Sequence, residues 1–576
     1  MIDMRWAAAA LLAAGTALAQ EAPQPESTNE ITDRTAVEAQ EFMVASAHPL
    51  ATRAGYDVLA AGGSAADAAV AVQMVLNVVE PQSSGIGGGA FALYWDASLG
   101  ALTSFDGRET APMAATPDMW LGEDGEPVEF WQAVVGGKSV GVPGTLLLMR
   151  ELHQRYGRLP WGGLFDPAID LAADGFAVSP RLAAAIAEAA EHGLGDIAPA
   201  SALFFRQDGT PLAAGETLRN PDLARSFRLL AAEGPEPFYA GSIARDIVAA
   251  VRSAPNPGAM TLADLDAYAV KERPAVCMNY RGREVCGMGP PSSGALTVGQ
   301  TLGILSAFDL GATGPGPEAT HLFIEASKLA FADRGLFMAD SDFVAMPEGL
   351  LDPGYLAARA ALIAPDRAMA KAAPGEPPWK EGRVYGPDGD RPNKGTSHFV
   401  IVDADGNMLS LTTTIETGFG SRVMAGGFLL NNELTDFAFA PEADGKPVAN
   451  RVEPGKRPRS SMAPTIVFED GRPMLLIGSP GGASIIGYVA GSLVRILDFG
   501  EDPQTAIDAP HVINRNGPTQ VEGGTEAAAT IEALAAFGQE AEATDLNSGL
   551  HAILIRPDGT LVGAADKRRE GAVLGR

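Results

Sequence analysis

The sequence predicts a layered α/β sandwich, and three observations carry that prediction. Residues 65–78, AADAAVAVQMVLNV, are apolar on nearly every side, the mark of a helix buried all round. After residue 395 the pattern changes to short alternating or wholly apolar runs, FVIVD, MLSLTTTI, MAPTIVFED and PMLLIGSP, joined by DADGN and EDGR turns as in hairpins. Helical segments then follow at 484–497 and 525–537, before a last strand HAILIRPDG, so that strands are followed by helices able to cover them.

The N-terminus, MIDMRWAAAALLAAGTALAQ, has one basic residue, a short apolar core and an Ala17-Leu18-Ala19 cleavage pattern, which reads as a signal peptide over residues 1–19. A polar linker follows over 20–42. No later segment reaches the roughly 20 apolar residues of a membrane-spanning helix, so the predicted location is periplasmic or secreted. The strand GIGGGAFALYW follows the buried helix. The middle of the chain alternates helical segments (144–156, 180–191, 221–232, 243–253, 321–333) with Pro/Gly turns. Within it lie the only two cysteines, in AVCMNYRGREVCGMG. A two-residue turn at Arg281-Gly282 pairs Tyr280 with Arg283, and counting outward places Cys277 opposite Cys286. Cross-strand neighbours of this kind are close enough for a disulfide, which export favours over two free thiols. Residues 372–394 hold no periodicity and many turn formers, and read as an exposed linker.

Composition narrows the partners. With 71 acidic and 42 basic residues the net charge is −29, which argues against a nucleic acid or an anionic membrane. No cluster of His, Cys and Asp has metal-ligand spacing, and no cofactor is implied. GIGGGA matches part of a dinucleotide fingerprint, but a helix precedes it and a strand follows, the reverse of the order that fold needs.

The chemistry concentrates where the linker ends, at NKGTSHFVIVDADGN (393–407). A Thr hydroxyl is a weak nucleophile without a base, and no His-centred triad or G-x-S-x-G elbow is evident. If the chain is cut between Gly395 and Thr396, the new α-amine of Thr396, with an ordinary pKa near 8, supplies that base. Gly395 tolerates the strained backbone such a self-cleavage requires. Taken alone these residues read more simply as a polar strand edge. His398 lies on the same strand, one residue from Ser397, and is assigned a structural role.

The surrounding blocks change the balance. LAAGGSAADAAVAV, PQSSGIGGGAFALY, DGRETAP, PPSSG, AFADR, GTSHFVIVDADGN, LLNNELTDF, GKRPRSSMAPTIV, IGSPGG and ADKRREGAVLG occur in order over nearly the whole chain after residue 43. In this the sequence resembles the γ-glutamyltransferase (γ-glutamyl transpeptidase) family. The resemblance implies a four-layer αββα sandwich of the N-terminal-nucleophile hydrolase type. It also implies self-cleavage at Gly395-Thr396 into a large segment (43–395) and a small one (396–576). By the same resemblance Thr396 is the nucleophile, Thr414 the hydroxyl that orients it, and Gly481 and Gly482 the oxyanion hole. Arg108, Ser460 and Ser461 would hold a substrate α-carboxylate, and Glu433 and Asp436 an α-ammonium. The implied donor is a γ-glutamyl amide, glutathione foremost, with water or an amine as acceptor.

Two departures stand out. Position 416 is Glu, where the family usually carries Asn near the α-amine; the extra carboxylate would tighten ammonium binding or select a second cationic group. The segment 437–458, which aligns with the family's active-site lid, is short, and its only aromatics are Phe437 and Phe439. Two rivals remain: an acylase of the same fold taking glutaryl-type amides, which lack the ammonium, and a non-catalytic exported binding protein.

Overall fold

A computed structural model describes residues 28, 31–380, 384–389, 395–524 and 526–576. The signal-peptide reading of residues 1–19 lies outside the described residues. The elements that position the site are numbered in chain order. The strands are β1 Val37–Ala39, β2 Met43–Ser46, β3 Gly89–Asp96, β4 Ala101–Gly107, β5 Lys271–Arg273, β6 Val276–Tyr280, β7 Arg283–Gly287, β8 Gly395–Val402, β9 Met408–Glu416, β10 Thr465–Glu469, β11 Arg472–Gly478, β12 His551–Ile555, β13 Leu561–Ala565 and β14 Ala572–Gly575. The helices are α1 Pro49–Ala60, α2 Ala65–Val79, α3 Thr145–Tyr156, α4 Pro180–Ala190, α5 Gly294–Leu305, α6 Pro317–Phe337, α7 Ile485–Leu497 and α8 Ala527–Ala535.

The strands form two seven-stranded sheets, antiparallel at every pairing, in the orders β14-β2-β8-β9-β3-β4-β5 and β1-β13-β12-β11-β10-β7-β6. They face each other, with β8 and β9 packed on β11. Helices α1, α2 and α3 cover the outer face of the first sheet, and α5 and α7 that of the second, giving four αββα layers. Side-chain alternation along β8 shows why both faces must be covered: Phe399 and Ile401 pack with α2, whereas Val400 and Val402 pack between the sheets. Such a strand is apolar on both sides and needs a layer on each. Helix α2 starts at a capping box, Ser64 with Asp67, and all of its residues are buried. Among the described residues no helix is long and apolar enough to cross a membrane.

Two sequence expectations need amendment. The stretch read as N-terminal linker includes strand β1, whose residues Val37–Ala39 pair with β13. Helix α8 packs on α6 and on a small three-stranded sheet (Val512–Ile513, Thr519–Glu522, Ala541–Thr544), not on a main sheet. The described part of 372–389 is irregular and largely exposed, as expected, but Gly395 already belongs to β8 and is buried. A cut made by the neighbouring hydroxyl needs no access for a protease, so burial of that bond is compatible with self-cleavage. The Cys277–Cys286 disulfide is formed across β6 and β7, in the register Tyr280↔Arg283 and Cys277↔Cys286.

Candidate active site

Thr396 sits at the start of β8, where its pairing with β9 is irregular. Gly395 faces Glu416 and Ser397 faces Thr413, so two residues of β9, Thr414 and Ile415, oppose Thr396 alone. A bulge of this kind re-aims a side chain at the end of a ladder. Here it brings two hydroxyls onto one carbonyl: Thr396 Oγ1 contacts the Gly395 oxygen, and Thr414 Oγ1 donates to the same oxygen at 2.6 Å. The two hydroxyl oxygens are 3.3 Å apart, and Thr396 is 2% exposed.

The glycine run before β3 is explained by this strand rather than by a phosphate. A Cβ at Gly88 would lie 1.9 Å from the Thr414 carbonyl oxygen, and one at Gly87 2.0 Å from that of Leu429. Only glycine allows the backbones so close.

Ser397 points to the opposite face from Thr396. Its hydroxyl donates to Glu80 Oε2 at 2.8 Å and accepts from Ser84 at 3.1 Å. His398 faces the second sheet. Its Nδ1 lies 2.9 Å from Thr412 Oγ1, and burial, followed by the nearby His551, pushes the ring well below its ordinary pKa. It is neutral and wedged over Gly478, where a Cβ would lie 2.2 Å from the ring. That is a packing role, as its place on the strand suggested.

Gly481 and Gly482 adopt φ of +126° and +57° and lead through a 3₁₀ turn into α7. Backbone N–H groups at a helix start can converge on a negative oxygen. Gly549 packs on both Pro480 and Arg569, and Arg569 Nη1 lies 3.5 Å from the Thr396 carbonyl oxygen.

The predicted substrate-binding residues meet in one buried cluster. Arg108, 1% exposed, directs Nη1 to Glu433 and Nη2 to Asp436, and Nε donates to the Pro458 carbonyl at 3.2 Å. Glu433 and Asp436 lie in a short 3₁₀ helix, Glu433–Asp436, rather than at a strand corner. Three residues per turn stacks positions i and i+3, which is why both acids reach one guanidinium. Glu416, fully buried with φ +81°, lies beside Asp436, and among the described residues neither of its carboxylate oxygens has a partner in hydrogen-bond geometry.

The sequence reading missed a fourth acid, Glu109. It is buried 3.9 Å from Arg108 Nη1 and beside the Glu433 carboxyl, with neither oxygen in hydrogen-bond geometry among the described residues. Its signal was adjacency in DGRETAP. Asp106, the other acid of that stretch, pairs with Arg273 and Arg457.

Four carboxyls therefore surround one guanidinium, and the electrostatics follow. Burial raises Glu416 well above the carboxylate range, and Asp436 and Glu433 add to it. Burial also raises Glu433, against the pull of Arg108, and lifts Glu109 to about 7. Burial alone would lower the Arg108 guanidinium, but Glu433 and Asp436 outweigh it and hold it charged. The cluster is short of positive charge.

Ser460 and Ser461 border it. Ser460 Oγ accepts from Met462 N at 3.1 Å, and Ser461 Oγ accepts from Arg334 at 2.7 Å. Both hydroxyl groups are fixed close to Pro458 and Arg459, whose carbonyl oxygens bind Arg108. The two aromatics of segment 437–458 are not site residues: Phe437 and Phe439 are buried, and Phe439 stacks on Trp120 at 5.3 Å.

Comparison with known proteins agrees over the whole fold. The sequence model of the family described as Gamma-glutamyltranspeptidase matches residues 51–576. The glutathione hydrolase proenzyme of Bacillus subtilis (strain 168) is 38% identical over 546 residues, 92% of this chain and 91% of that protein. The acylase ACY 1 proenzyme of Pseudomonas sp. (strain V22) is 36% identical over 539 residues, 92% of each. Among solved structures, a cephalosporin acylase from Bacillus halodurans superposes with a TM-score of 0.83 at 29% identity, covering 96% of this chain and 99% of that one.

Proposed function

The chain belongs to the gamma-glutamyltranspeptidase family, and from that premise we propose how its residues carry out γ-glutamyl transfer. The observation that carries the reading is the buried Arg108 cluster. A γ-glutamyl group presents a carboxylate beside an ammonium. On donor binding Arg108 turns its planar, two-armed guanidinium from Glu433 and Asp436 to the carboxylate, and the acids it releases, with Glu416, receive the ammonium. In this reading Ser460 and Ser461 complete the carboxylate subsite, and Glu416, Glu433 and Asp436 share the ammonium.

Processing comes first. Thr396 Oγ attacks the Gly395 carbonyl, helped by Thr414, which already donates to that oxygen. The peptide N leaves as the α-amine, and water hydrolyses the resulting ester. The products are a large segment ending at Gly395 and a small one beginning at Thr396.

In the processed enzyme Thr396 Oγ attacks the donor's γ-carbonyl and its own α-amine takes the proton. The N–H groups of Gly481 and Gly482 stabilise the oxyanion, an interaction whose loss typically costs about 10²–10³ in rate. The amine returns the proton to the leaving nitrogen, leaving a γ-glutamyl ester on Thr396. Water or an amine then resolves it. Glutathione is the proposed donor, and residues 1–19 are proposed to export the protein.

A second reading has its own support in the acylase relatives: a glutaryl-type amide as donor. The surplus of buried carboxyls opposes it, because a glutaryl chain brings no cation to them. The test is anilide release from γ-glutamyl and glutaryl donors, with the N-terminus of the small fragment sequenced. We expect strong preference for the γ-glutamyl donor and a fragment beginning at Thr396. Equal or better glutaryl turnover would transfer the assignment to the acylase. An active single uncut chain would remove the mechanism.

A further inference from the structure

This inference rests on the reading that Thr396 works through its own α-amine. The amine acts as a base only when neutral, and an uncompensated carboxylate nearby would favour the ammonium. A buried carboxylate is present there. Glu80 accepts the Ser397 hydroxyl at 2.8 Å, which places it one residue from the amine that cleavage creates. It is matched by Arg181 of α4, whose Nη1 contacts Glu80 Oε1 and whose Nη2 donates to Ser83 Oγ at 3.1 Å. The two side chains are 1% and 4% exposed, so neither charge is screened by water.

The same loop braces the partner strand: Ile415 N donates to Ser83 O at 3.2 Å and Phe419 N to Gln82 O at 3.0 Å. Loop 80–84 therefore joins the end of β9, which carries Thr414, to the start of β8.

The other charged or titratable groups around the new terminus leave this pair in control. Glu416 lies opposite Gly395, and its burial, with Asp436 and Glu433 beside it, opposes its ionisation. His398 is kept neutral by burial, and His48, within reach of Arg181, is lowered to about 4 by burial and then by that charge. Arg569 approaches the Thr396 carbonyl from the C-terminal segment, and Arg422 and Glu188 line a pocket at Gly395. Of these, His48 feels Arg181 directly, and burial, the larger cause, keeps it low when that charge is removed.

We infer that Arg181 is an electrostatic positioning residue for the reaction. By pairing with Glu80 it lets that carboxylate hold Ser397 in place without turning the α-amine of Thr396 into an ammonium at neutral pH. Arg181 touches neither substrate nor reacting atoms.

The test is the pH profile of kcat/KM for a γ-glutamyl anilide, measured on processed enzyme. A unit charge unmasked beside the amine at the effective dielectric of a protein interior moves its pKa by about one to two units. Arg181→Gln is expected to shift the acid limb upward by about that much, cutting the rate on the limb about tenfold or more. Glu80→Gln, whose amide still accepts from Ser397, is expected to shift it downward. The double variant is expected to return it to the parent position, and Arg181→Lys to stay there.

A purely structural role would lower rates without moving the limb in opposite directions. If Arg181→Gln does not fold, Glu80→Gln and the double variant read the same charge balance from the other side. Processed, active variants with an unmoved acid limb would overturn the inference. A parent enzyme without an N-terminal Thr396 would instead overturn the reading on which it rests.

Discussion

Glu416→Gln removes one carboxyl from the substrate cluster while keeping volume and the positive-φ backbone demand the same. Glu416 is fully buried, and among the described residues neither oxygen has a partner in hydrogen-bond geometry. If a γ-glutamyl ammonium binds there, the variant keeps an amide oxygen as acceptor but loses the carboxylate's charge, which roughly doubles the strength of such a bond, a loss of about 1–1.5 kcal/mol. At about 1.4 kcal/mol per decade, kcat/KM for the γ-glutamyl donor falls about 5- to 12-fold. A glutaryl donor has no ammonium to lose. Removing a carboxyl that lacks a partner, from a cluster in which Asp436 and Glu433 already oppose its ionisation, leaves glutaryl turnover equal or higher. The preference ratio therefore drops by at least about fivefold. The assay is initial-rate anilide release with both donors at one pH, after sequencing confirms that the variant is processed at Thr396. A parallel fall for both donors would refute the reasoning, since it would mean that Glu416 acts on folding or on Thr396 and not on the ammonium. An unchanged γ-glutamyl rate would refute it as well.

The remaining predictions concern the oxyanion loop, the disulfide and pH. Gly481→Ala places a Cβ 2.7 Å from the Tyr488 ring at a φ of +126°, so the loop must shift; kcat is expected to fall about 10²–10³ with the far-UV circular dichroism preserved. Cys277→Ser/Cys286→Ser opens a loop of sequence separation 9 on the edge hairpin of the second sheet, an expected loss of about 2–3 kcal/mol seen as a lower Tm, with kcat unaltered. Burial raises Glu109 to about 7 and also raises Glu416 and Glu433, so the folded state holds protons that the unfolded chain has released above its ordinary carboxylate value of 4.5. Stability contributed by Glu109 is thus complete below that value and declines as pH rises towards 7. The Tm of the donor-free enzyme is expected to fall from about pH 5 to 7 through these groups, and a bound α-amino-acid analogue is expected to flatten the slope.

The sequence by itself determined whatever depends on neighbours along the chain. The all-apolar run at 65–78 could only be a covered helix, and α2 is buried throughout. The Arg281-Gly282 turn set the hairpin register, and with it the cysteine pair, because a two-residue turn leaves no freedom in the count. Gly-Thr at the head of an apolar run marked the start of β8. The family blocks marked Arg108, Thr414 and the glycine pair.

Tertiary structure alone decided how those residues act on one another. Arg108 and Glu433 are 325 residues apart, and nothing local says that they touch. The bulge that turns Thr396 and Thr414 onto one carbonyl comes from the pairing of two strands, not from either strand. Phe437 and Phe439, legible as lid aromatics, are drawn into a core built with Trp120 and Phe130. Nothing local marks Glu109 or Glu80, because a carboxylate's sequence neighbours do not reveal whether water reaches it. Burial is a property of all the chain packed around a group, and it is burial that makes these carboxylates costly to charge and responsive to a single partner.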